Sequence, residues 1–363
     1  MKKKNIRPKI AILISKLIGG GAERVACNLA NYLYDKGYDV DIVTGTSSDD
    51  AYDLKKEIGR IVLLDRTEHR GKIYNARTRF ARLKKYMKEN RNVVCYVAMM
   101  PKAAFRVTLL RRYSSGGIII SERNDPAHHD LMDKMMMLYA SRKCDGLVVQ
   151  TNEIGDWYRW AKNKMIIPNA VNRDIIVNRR YPIRKKFVAV GKLKKQKNYP
   201  MLIDAFSMFN KKYPDYNLDI YGEGELEGKI KKQAVECGVG DKVRFMGYRK
   251  DAYQQMADAT GFLMTSNYEG ISNALIEAMC IGLPCIVTDC DGGGARALIR
   301  NGENGVIVEK GAVSKFAVAM CNVVKNDNFS KKISDNARRV RINLSEEKIY
   351  GKWLDYIIKN EIR

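Results

Sequence analysis

Two glutamates eight positions apart carry the strongest chemical signal in this sequence. Glu269 lies in a polar loop after an apolar, strand-like run, and Glu277 lies in the helix-like run that begins after Asn273. The first N–H groups of a helix lack partners and the helix dipole is positive there, so this junction suits a diphosphate. One turn further, Glu277 could accept hydrogen bonds from ribose hydroxyls, while Glu269 would face a sugar. For two acids alone, a solvated loop residue and a surface helix carboxylate are the simpler interpretation.

The residues around this pair resemble a known signature. The stretch from Tyr268-Glu269-Gly270 through Glu277 to Gly282-Leu283-Pro284 resembles the E-x7-E signature of glycosyltransferase family 4, which has the GT-B fold. The likeness is dense over 187–308 and thinner over 30–185. It includes Gly191-Lys192-Leu193, Lys197-Asn198, Tyr221-Gly222-Glu223-Gly224, Phe245-Met246-Gly247-Tyr248, Gly302-Glu303-Asn304-Gly305 and Gly19-Gly20-Gly21-Ala22-Glu23-Arg24.

The resemblance implies roles for four side chains. Glu269 would contact the donor sugar and Glu277 the nucleotide ribose, while Lys192 and Lys197 would neutralise the diphosphate. Fixed cations there stabilise the charge that develops as the glycosidic bond breaks. Because the family usually has Arg where Lys192 stands, this position keeps the charge but loses the bidentate fork. We therefore name Glu269, Lys192 and Lys197 as catalytic candidates; the alternative for the two lysines is an ordinary exposed surface position.

The resemblance also implies a wider donor-binding set. Ser272 stands where relatives commonly have Pro, and as a good N-cap it should preserve the turn. Tyr248 matches a position that borders the base, although core packing is an equally open interpretation. The glycines after the first strand let a ligand approach the backbone, or they form a tight turn only. The predicted donor-binding residues are Glu277, Gly270, Ile271, Ser272, Asn273, Ala274, Tyr248, Gly222, Gly20 and Gly21.

The acceptor side is less clearly marked. Relatives often carry a His near the strand end at residues 117–120, and this sequence has none in the immediate loop. Glu122, Arg123 and Asn124 are the acceptor-side candidates, with helix capping by Asn124-Asp125 before Pro126 as an equally open alternative.

The sequence does not favour a metal site. Asp289-Cys290-Asp291 spells D-x-D, but it precedes three glycines just after a strand, where Asp favours turns. Three histidines and eight cysteines without a CxxC pair make a zinc site or a disulfide framework improbable and fit a reducing cytoplasm. The family resemblance implies a metal-independent reaction, with no cofactor besides the nucleotide-sugar substrate.

Short apolar runs separated by helix-length segments predict an α/β fold with parallel sheets buried on both faces. The predicted strands are 10–14, 40–44, 61–64, 93–97, 117–120 and 146–149, then 187–191, 218–221, 243–246, 261–264, 285–288 and 306–308. With the resemblance, this gives a GT-B architecture of two doubly wound Rossmann-like domains facing a cleft. We expect an acceptor-binding domain at 1–180, a hinge within 169–182 and a sugar-nucleotide-binding domain at 181–344. An amphipathic helix at 345–363 should pack back toward the first domain.

The chain is strongly basic, with a formal net charge of +24. Residues 1–180 hold 35 basic and 19 acidic residues (+16), and residues 181–363 hold 30 and 22 (+8). This asymmetry indicates an anionic partner for the N-terminal half. On the predicted helix 70–91, an apolar face from Ile73 to Met87 should pack on the domain. The basic residues on its other faces are either an ordinary solvated surface or a contact for an anionic membrane. Arg77, Arg79, Arg82, Lys84, Lys85 and Lys88 form that basic face.

Neither the N-terminus nor any internal run has the length of a signal peptide or a membrane span. We therefore expect a cytoplasmic enzyme, peripheral at most on the inner face of the plasma membrane. The expected activity is retaining transfer of a hexose or N-acetylhexosamine, from a UDP-sugar rather than a GDP-sugar, to a glycan or polyprenyl-diphosphate-linked acceptor. Retention is implied by the family. The alternatives are a sugar-nucleotide epimerase or hydrolase on the same fold, for which three histidines offer little, and a basic nucleic-acid-binding protein. No nucleic acid is expected, because aromatics are not interleaved with the basic clusters.

Overall fold

The computed structural model describes residues 7–48, 52–171 and 177–361. The chain divides into two compact units. The first comprises the residues up to Pro168 together with those from Glu347 onward, and the second comprises Asn169–Glu346.

The first unit is built on a seven-stranded sheet in the order β3-β2-β1-β4-β5-β6-β7, in which every neighbouring pair is parallel. Its strands are β1 (Lys9–Ile14), β2 (Asp39–Thr44), β3 (Gly59–Val62), β4 (Val93–Met99), β5 (Gly117–Ser121), β6 (Gly146–Val149) and β7 (Lys164–Ile166). Its helices are α1 (Gly21–Asp35), α2 (Lys72–Glu89), α3 (Pro101–Leu109), α4 (Leu131–Lys143) and α5 (Asn152–Trp157).

The second unit has a six-stranded parallel sheet in the order β10-β9-β8-β11-β12-β13. Its strands are β8 (Arg184–Val190), β9 (Asn217–Tyr221), β10 (Val243–Phe245), β11 (Ala259–Met264), β12 (Cys285–Thr288) and β13 (Val306–Val308). Its helices are α6 (Tyr199–Asn210), α7 (Glu227–Glu236), α8 (Ala252–Gln255), α9 (Asn273–Ile281), α10 (Gly294–Leu298), α11 (Val313–Lys325), α12 (Asp327–Ala337) and α13 (Val340–Asn343).

Both faces of the second sheet are buried, which explains why its strands are continuous apolar runs. Successive side chains of a strand point to opposite faces. Phe187 joins the cluster formed with α6 and α11, and its neighbour Val188 joins the cluster formed with α9. The two-domain α/β fold predicted from the sequence is therefore confirmed.

Three sequence predictions need correction. The strand predicted at 61–64 lies at Gly59–Val62, and the three-residue edge strand β7 was not predicted. The second unit begins at Asn169 and not at residue 181, because Arg179 and Arg180 donate to backbone carbonyls of this unit, including those of Ala259 and Gln254. Residues 172–176 of the predicted hinge lie outside the described residues, as do residues 1–6 of the N-terminus.

The predicted apolar face of α2 is only partly buried. Leu83, Tyr86 and Met87 pack into the core, whereas Ile73 in the first turn is 75% exposed. The contacts of α2 with the hydrophobic core therefore come from its C-terminal half.

The last helix, α14 (Glu346–Asn360), belongs to the first unit, and its buried side chains include Ile349, Trp353, Tyr356 and Ile357. The Tyr356 hydroxyl accepts from the N–H of Leu147 at 3.1 Å and donates to the carbonyl of Asn163 at 2.9 Å. Gly117 permits this approach, since a Cβ there would lie 1.9 Å from the Asn360 oxygen.

No helix among the described residues combines the length and the apolar character that crossing a bilayer requires. All eight cysteines are free thiols. Burial raises the pKa of Cys285, which behaves as a small core residue.

Candidate functional site

The predicted donor-site residues of the second unit meet where its sheet changes direction. Strands β8 and β11 are neighbours although they are not consecutive in the chain, and ligands of open α/β sheets bind at the carboxyl ends of such strands. Lys192 and Lys197 follow β8, and Glu269 follows β11. The topology therefore brings the loops that carry the three catalytic candidates to one edge.

Lys197 and Glu269 form an ion pair at this edge. Lys197 Nζ lies 2.5 Å from Glu269 Oε1, which also accepts from Ser266 Oγ at 3.1 Å. Glu269 is only 8% exposed, so the alternative interpretation of Glu269 as a solvated loop residue is wrong. A buried carboxylate needs such compensation, since an unpaired charge is costly in a low-dielectric environment.

A set of hydrogen bonds holds the Lys197 turn against the loop that carries Glu269. Thr265 Oγ1 donates to the carbonyls of Lys197 and Asn198 at 3.1 and 3.0 Å. The N–H of Asn267 donates to the carbonyl of Gln196 at 2.8 Å, and Gln196 Nε2 donates to the carbonyl of Tyr268 at 3.0 Å. The two charged groups are thus held in place by backbone contacts on both sides.

The start of α9 is built as the sequence predicted. Ser272 caps the helix and its Oγ accepts from the N–H of Leu275. Asn169 Nδ2 donates to the Ile271 carbonyl at 2.8 Å and to Asn273 Oδ1 at 2.7 Å. Glu277 lies one turn into the helix and is half-buried. This arrangement keeps the first turn of α9 ordered beside the Glu269 loop.

Glycines let the loops at this edge touch through their backbones. A Cβ on Gly222, whose φ is +137°, would lie 2.1 Å from the Gly191 carbonyl oxygen. A Cβ on Gly294 would lie 1.6 Å from the carbonyl oxygen of Gly270. Only glycine fits such contacts without displacing a neighbouring backbone. The donor-loop glycines Gly222 and Gly270 therefore sit in close backbone contacts.

Two other donor-side candidates are open to solvent. Lys192 is exposed, and Tyr248 is 61% exposed with its N–H donating to Glu223 Oε1 at 3.2 Å. The core-packing alternative for Tyr248 is wrong. Ala274 is half-buried at the first turn of α9.

The carboxylates of the D-x-D sequence are both paired with cations. Asp289 pairs with Arg296, and both oxygens of Asp291 lie 2.7 Å from Lys310 Nζ. The intervening Cys290 is buried, and desolvation together with the nearby Glu269 charge raises the pKa of its thiol to about 12. The interpretation of Asp289 and Asp291 as turn residues fits this geometry.

In the first unit, Gly20 and Gly21 stand at the start of α1. Gly20 is the N-cap residue in ordinary extended conformation, and its carbonyl accepts from the Tyr52 hydroxyl at 2.9 Å. Gly21 is the first helical residue and is exposed. Both residues belong to the first unit and not to the second-unit cluster around Glu269.

The acceptor-side candidate Glu122 is fully buried, and its oxygens are used internally. Oε1 accepts from the N–H groups of Arg123 and Asn124, while Oε2 lies 2.9 Å from His129 Nε2 and accepts from the Tyr158 hydroxyl at 2.8 Å. Desolvation lowers the pKa of the buried Arg123 to about 10. The geometry gives Glu122 the role of organising this loop. The capping interpretation holds for Asp125, whose Oδ1 accepts from the N–H of Ala127 at 2.9 Å.

Several positioning residues escaped the sequence reasoning. Asn169 lies far from α9 in sequence and was placed in the hinge, and Thr265 follows the strand without a distinctive motif. Gly294 carried a signal, since three successive glycines after a strand mark an unusual backbone.

Two family models match consecutive parts of the chain, which together span residues 19–340. The model described as Glycosyltransferase Family 4 matches residues 19–175, and the model described as Glycosyl transferases group 1 matches residues 172–340. The fold and the matches define a glycosyltransferase of the GT-B type. The two matches together are those of a glycosyltransferase of the family 4 kind.

Individual relatives span nearly the whole chain. An uncharacterized glycosyltransferase of Haemophilus influenzae is 25% identical over 338 residues, which are 92% of this chain and 95% of that protein. The GalNAc-alpha-(1->4)-GalNAc-alpha-(1->3)-diNAcBac-PP-undecaprenol alpha-1,4-N-acetyl-D-galactosaminyltransferase of Campylobacter jejuni is 24% identical over 362 residues, 97% and 99% of the two chains. The solved structure of Anabaena Alr3699/HepE in complex with UDP covers 97% of this chain and 100% of its own, with a TM-score of 0.81 at 17% identity. At that identity the likeness shows the fold alone.

Proposed function

We propose that this glycosyltransferase moves a hexose or N-acetylhexosamine from a UDP-sugar to a glycan or polyprenyl-diphosphate-linked acceptor, with retention of the anomeric configuration, in surface-polysaccharide biosynthesis. The observation that carries the proposal is the Lys197–Glu269 pair, held at the sheet edge where a nucleotide ligand binds. Lys197 and Lys192 supply cations for the diphosphate, Glu269 contacts the transferred sugar, and Glu277 accepts hydrogen bonds from the ribose.

The bond between the anomeric carbon and the diphosphate oxygen breaks while the acceptor oxygen bonds to the same face of that carbon. The acceptor's proton passes to the departing phosphate oxygen, so the reaction balances without an enzyme nucleophile. Negative charge grows on the diphosphate during this step, and the lysines stabilise it more in the transition state than in the ground state.

The names of the relatives support the choice of substrates. The Campylobacter relative is named as a transferase acting on an undecaprenol-diphosphate-linked glycan, and the Anabaena structure holds UDP. The first name supports a lipid-linked acceptor for the present chain, and the second supports a UDP-sugar donor.

A panel of UDP-, GDP- and ADP-sugars tests the donor assignment. We expect a UDP-sugar to raise the melting temperature of the full chain, because a ligand that binds only the folded state stabilises it. Stabilisation by a GDP- or ADP-sugar alone would contradict the proposed base.

We also propose that no divalent metal takes part. The lysines place cations where a metal would neutralise the diphosphate, and Asp289 and Asp291 are paired with Arg296 and Lys310. Activity should persist in excess EDTA. Its loss in EDTA and return with Mg²⁺ or Mn²⁺ would show that the two aspartates bind a metal.

The enzyme is proposed to work in the cytoplasm, docked on an anionic membrane through the basic N-terminal half. Lys85 and Lys88 on α2 are exposed. Lys85 Nζ lies 3.8 Å from Glu89 Oε1, which is a long ion pair. Such side chains are available to anionic headgroups.

A further inference from the structure

Two arginines converge on the loop that follows β2 in the first unit. Arg79 of α2 donates from Nε to the Gly45 carbonyl at 2.8 Å and from Nη2 to Thr46 Oγ1 at 2.8 Å. Arg106 of α3 approaches the same backbone, since a Cβ on Gly45 would lie 3.3 Å from its Nη1. The two guanidinium groups therefore flank one loop.

This loop lies beside the point where the first sheet changes direction. Strand β1 has β2 on one side and β4 on the other, and α3 follows β4 directly. Gly45 is fastened to the end of β1, because its N–H donates to the Ile14 carbonyl at 2.9 Å. The carboxyl ends of strands at such a point form the ligand-binding edge of open α/β sheets.

Neither arginine has an acidic partner among the described residues. The neighbouring cations do: Arg82 pairs with Glu68 at 2.6 Å and Arg111 with Asp145 at 2.6 Å. Arg79 donates only to neutral oxygens, and Arg106 makes no side-chain hydrogen bond within 7–48, 52–171 and 177–361.

Burial makes the two uncompensated charges costly. Desolvation, with the Arg79 charge second, lowers the pKa of Arg106 to about 10, and desolvation lowers the pKa of Arg79. At neutral pH both groups still carry a proton. Both side chains are half-buried, and two like charges held close together repel each other unless an anion joins them.

We propose that Arg79 and Arg106 bind a phosphoryl group of the acceptor, and specifically the diphosphate of a lipid-linked acceptor. This inference rests on the proposed function, because it assigns the anion to the acceptor of that reaction. Nε and Nη2 of Arg79 already donate to the loop, so Arg79 adds its charge and its remaining Nη1, whereas Arg106 keeps a planar fork that matches phosphate oxygens bidentately. Two cations together match a group with more than one negative charge. Both arginines belong to the first unit, and the donor candidates around Glu269 belong to the second.

Calorimetry on the full chain tests the site. The donor site is first saturated with UDP, which removes it as a competitor, and inorganic diphosphate or geranyl diphosphate is then titrated. We expect both to bind, with Arg106→Gln weakening each by about tenfold or more, the loss expected for one charge-assisted hydrogen bond. Tighter binding of geranyl diphosphate identifies the lipid-linked form, whereas equal binding leaves the diphosphate alone as the recognised group and overturns that assignment.

Arg82→Gln is the matched control, because it removes a cation from the same helix whose charge Glu68 already balances. It should change diphosphate affinity by less than about twofold. Arg106→Lys keeps the charge and should retain part of the affinity. The melting temperature of each variant shows whether it folds.

The outcomes separate the two proposals. If UDP binds and neither diphosphate does, or if Arg106→Gln binds diphosphate as well as the wild type, the arginine site is wrong and the donor assignment stands. If UDP itself does not bind, the proposed function fails first.

Discussion

The side chains of Lys197 and Glu269 satisfy each other where a donor is proposed to sit. A UDP-sugar would have to exchange this contact for its own, with the diphosphate taking the lysine and a sugar hydroxyl taking the carboxylate. Until then the pair keeps a nearly buried carboxylate compensated. The same two groups therefore serve the folded loop and, in the proposed reaction, the substrate.

Changing the two glutamates should separate chemistry from binding. Glu269→Gln keeps the shape but removes the charge, so we expect transfer to fall about 10²- to 10³-fold with little change in UDP affinity. Glu277→Ala removes a proposed ribose contact and should weaken UDP about tenfold. Steady-state kinetics and UDP titration measure the two effects.

Glu236→Ala is the control, because this carboxylate is exposed at the end of α7 and lies 3.7 Å from Lys232. It should behave as the wild type in both measurements. Full activity in both Glu269→Gln and Glu277→Ala would remove the basis of the donor-site assignment.

Among the structural elements, the glycine loops do most to shape the second unit's edge. The N–H of Gly222 donates to the Gly247 carbonyl at 2.8 Å, and the N–H of Leu193 donates to the Glu223 carbonyl at 2.9 Å. The loops after β8, β9 and β10 are thus linked by backbone hydrogen bonds. Side chains at the contact points would force these loops apart.

Gly222→Ala should therefore destabilise the protein. The new Cβ would meet the Gly191 carbonyl, and the φ of +137° is strained for any L side chain. We expect a loss of about 1–3 kcal/mol in unfolding free energy, with weaker UDP binding, measured by denaturant titration.

Gly228→Ala makes the same chemical change on α7, where a Cβ meets nothing within 4 Å. It should be neutral or stabilise by up to about 1 kcal/mol, because Ala is the better helix former. Equal destabilisation by both changes would show that the close contact at Gly222 is unimportant.

How far the sequence could predict these elements depends on burial. Apolar runs such as those of β1 and β11 are buried on both faces and were recognised directly, whereas β7 is three residues long at a sheet edge and carries Lys164. The ends of neighbouring strands bring Lys197 and Glu269 together, so motif and topology sufficed for that pair.

The arginine pair could not be found in the same way. Arg79 follows the spacing of exposed basic residues on α2, and only the packing of that helix shows that it turns toward Gly45. Arg106 belongs to another helix 27 positions later in the sequence, and no local pattern links the two. Tertiary contacts between distant segments carry this information.

At the scale of the whole molecule, the positive charge is unevenly distributed, and some basic side chains are used in ion pairs and hydrogen bonds within the fold. On α2, Arg82 pairs with Glu68 and Arg79 turns toward the backbone, so fewer than the six predicted residues remain for the proposed membrane contact. Lys84 lies over the ring of Tyr113 at 4.8 Å, and Lys85 and Lys88 are exposed.

Changing Lys84, Lys85 and Lys88 to Glu should release the enzyme from anionic liposomes. Each basic residue near such a surface contributes about 1 kcal/mol, so the loss should reach about 100-fold in the partition coefficient. The wild type should sediment with these liposomes at low ionic strength and dissociate at high salt, because salt screens the attraction.

The matched control changes three lysines of α7 in the second unit, Lys229, Lys231 and Lys232, to Glu. It alters the net charge equally and should leave sedimentation nearly unchanged. A wild type that ignores anionic liposomes at low salt would instead favour an acceptor free in solution.

The return of α14 to the first unit has a consequence for synthesis on the ribosome. The second unit is one uninterrupted stretch, so it can fold as soon as Glu346 has left the exit tunnel. The first unit begins earlier and must wait longer, because Tyr356 and Trp353 complete its packing from the far end of the chain. Until they arrive, the edge formed by β6 and β7 lacks its cover. Nascent chains stalled when Glu346 has left the exit tunnel and Trp353 and Tyr356 are still inside it should therefore expose the first unit to protease while the second is already resistant.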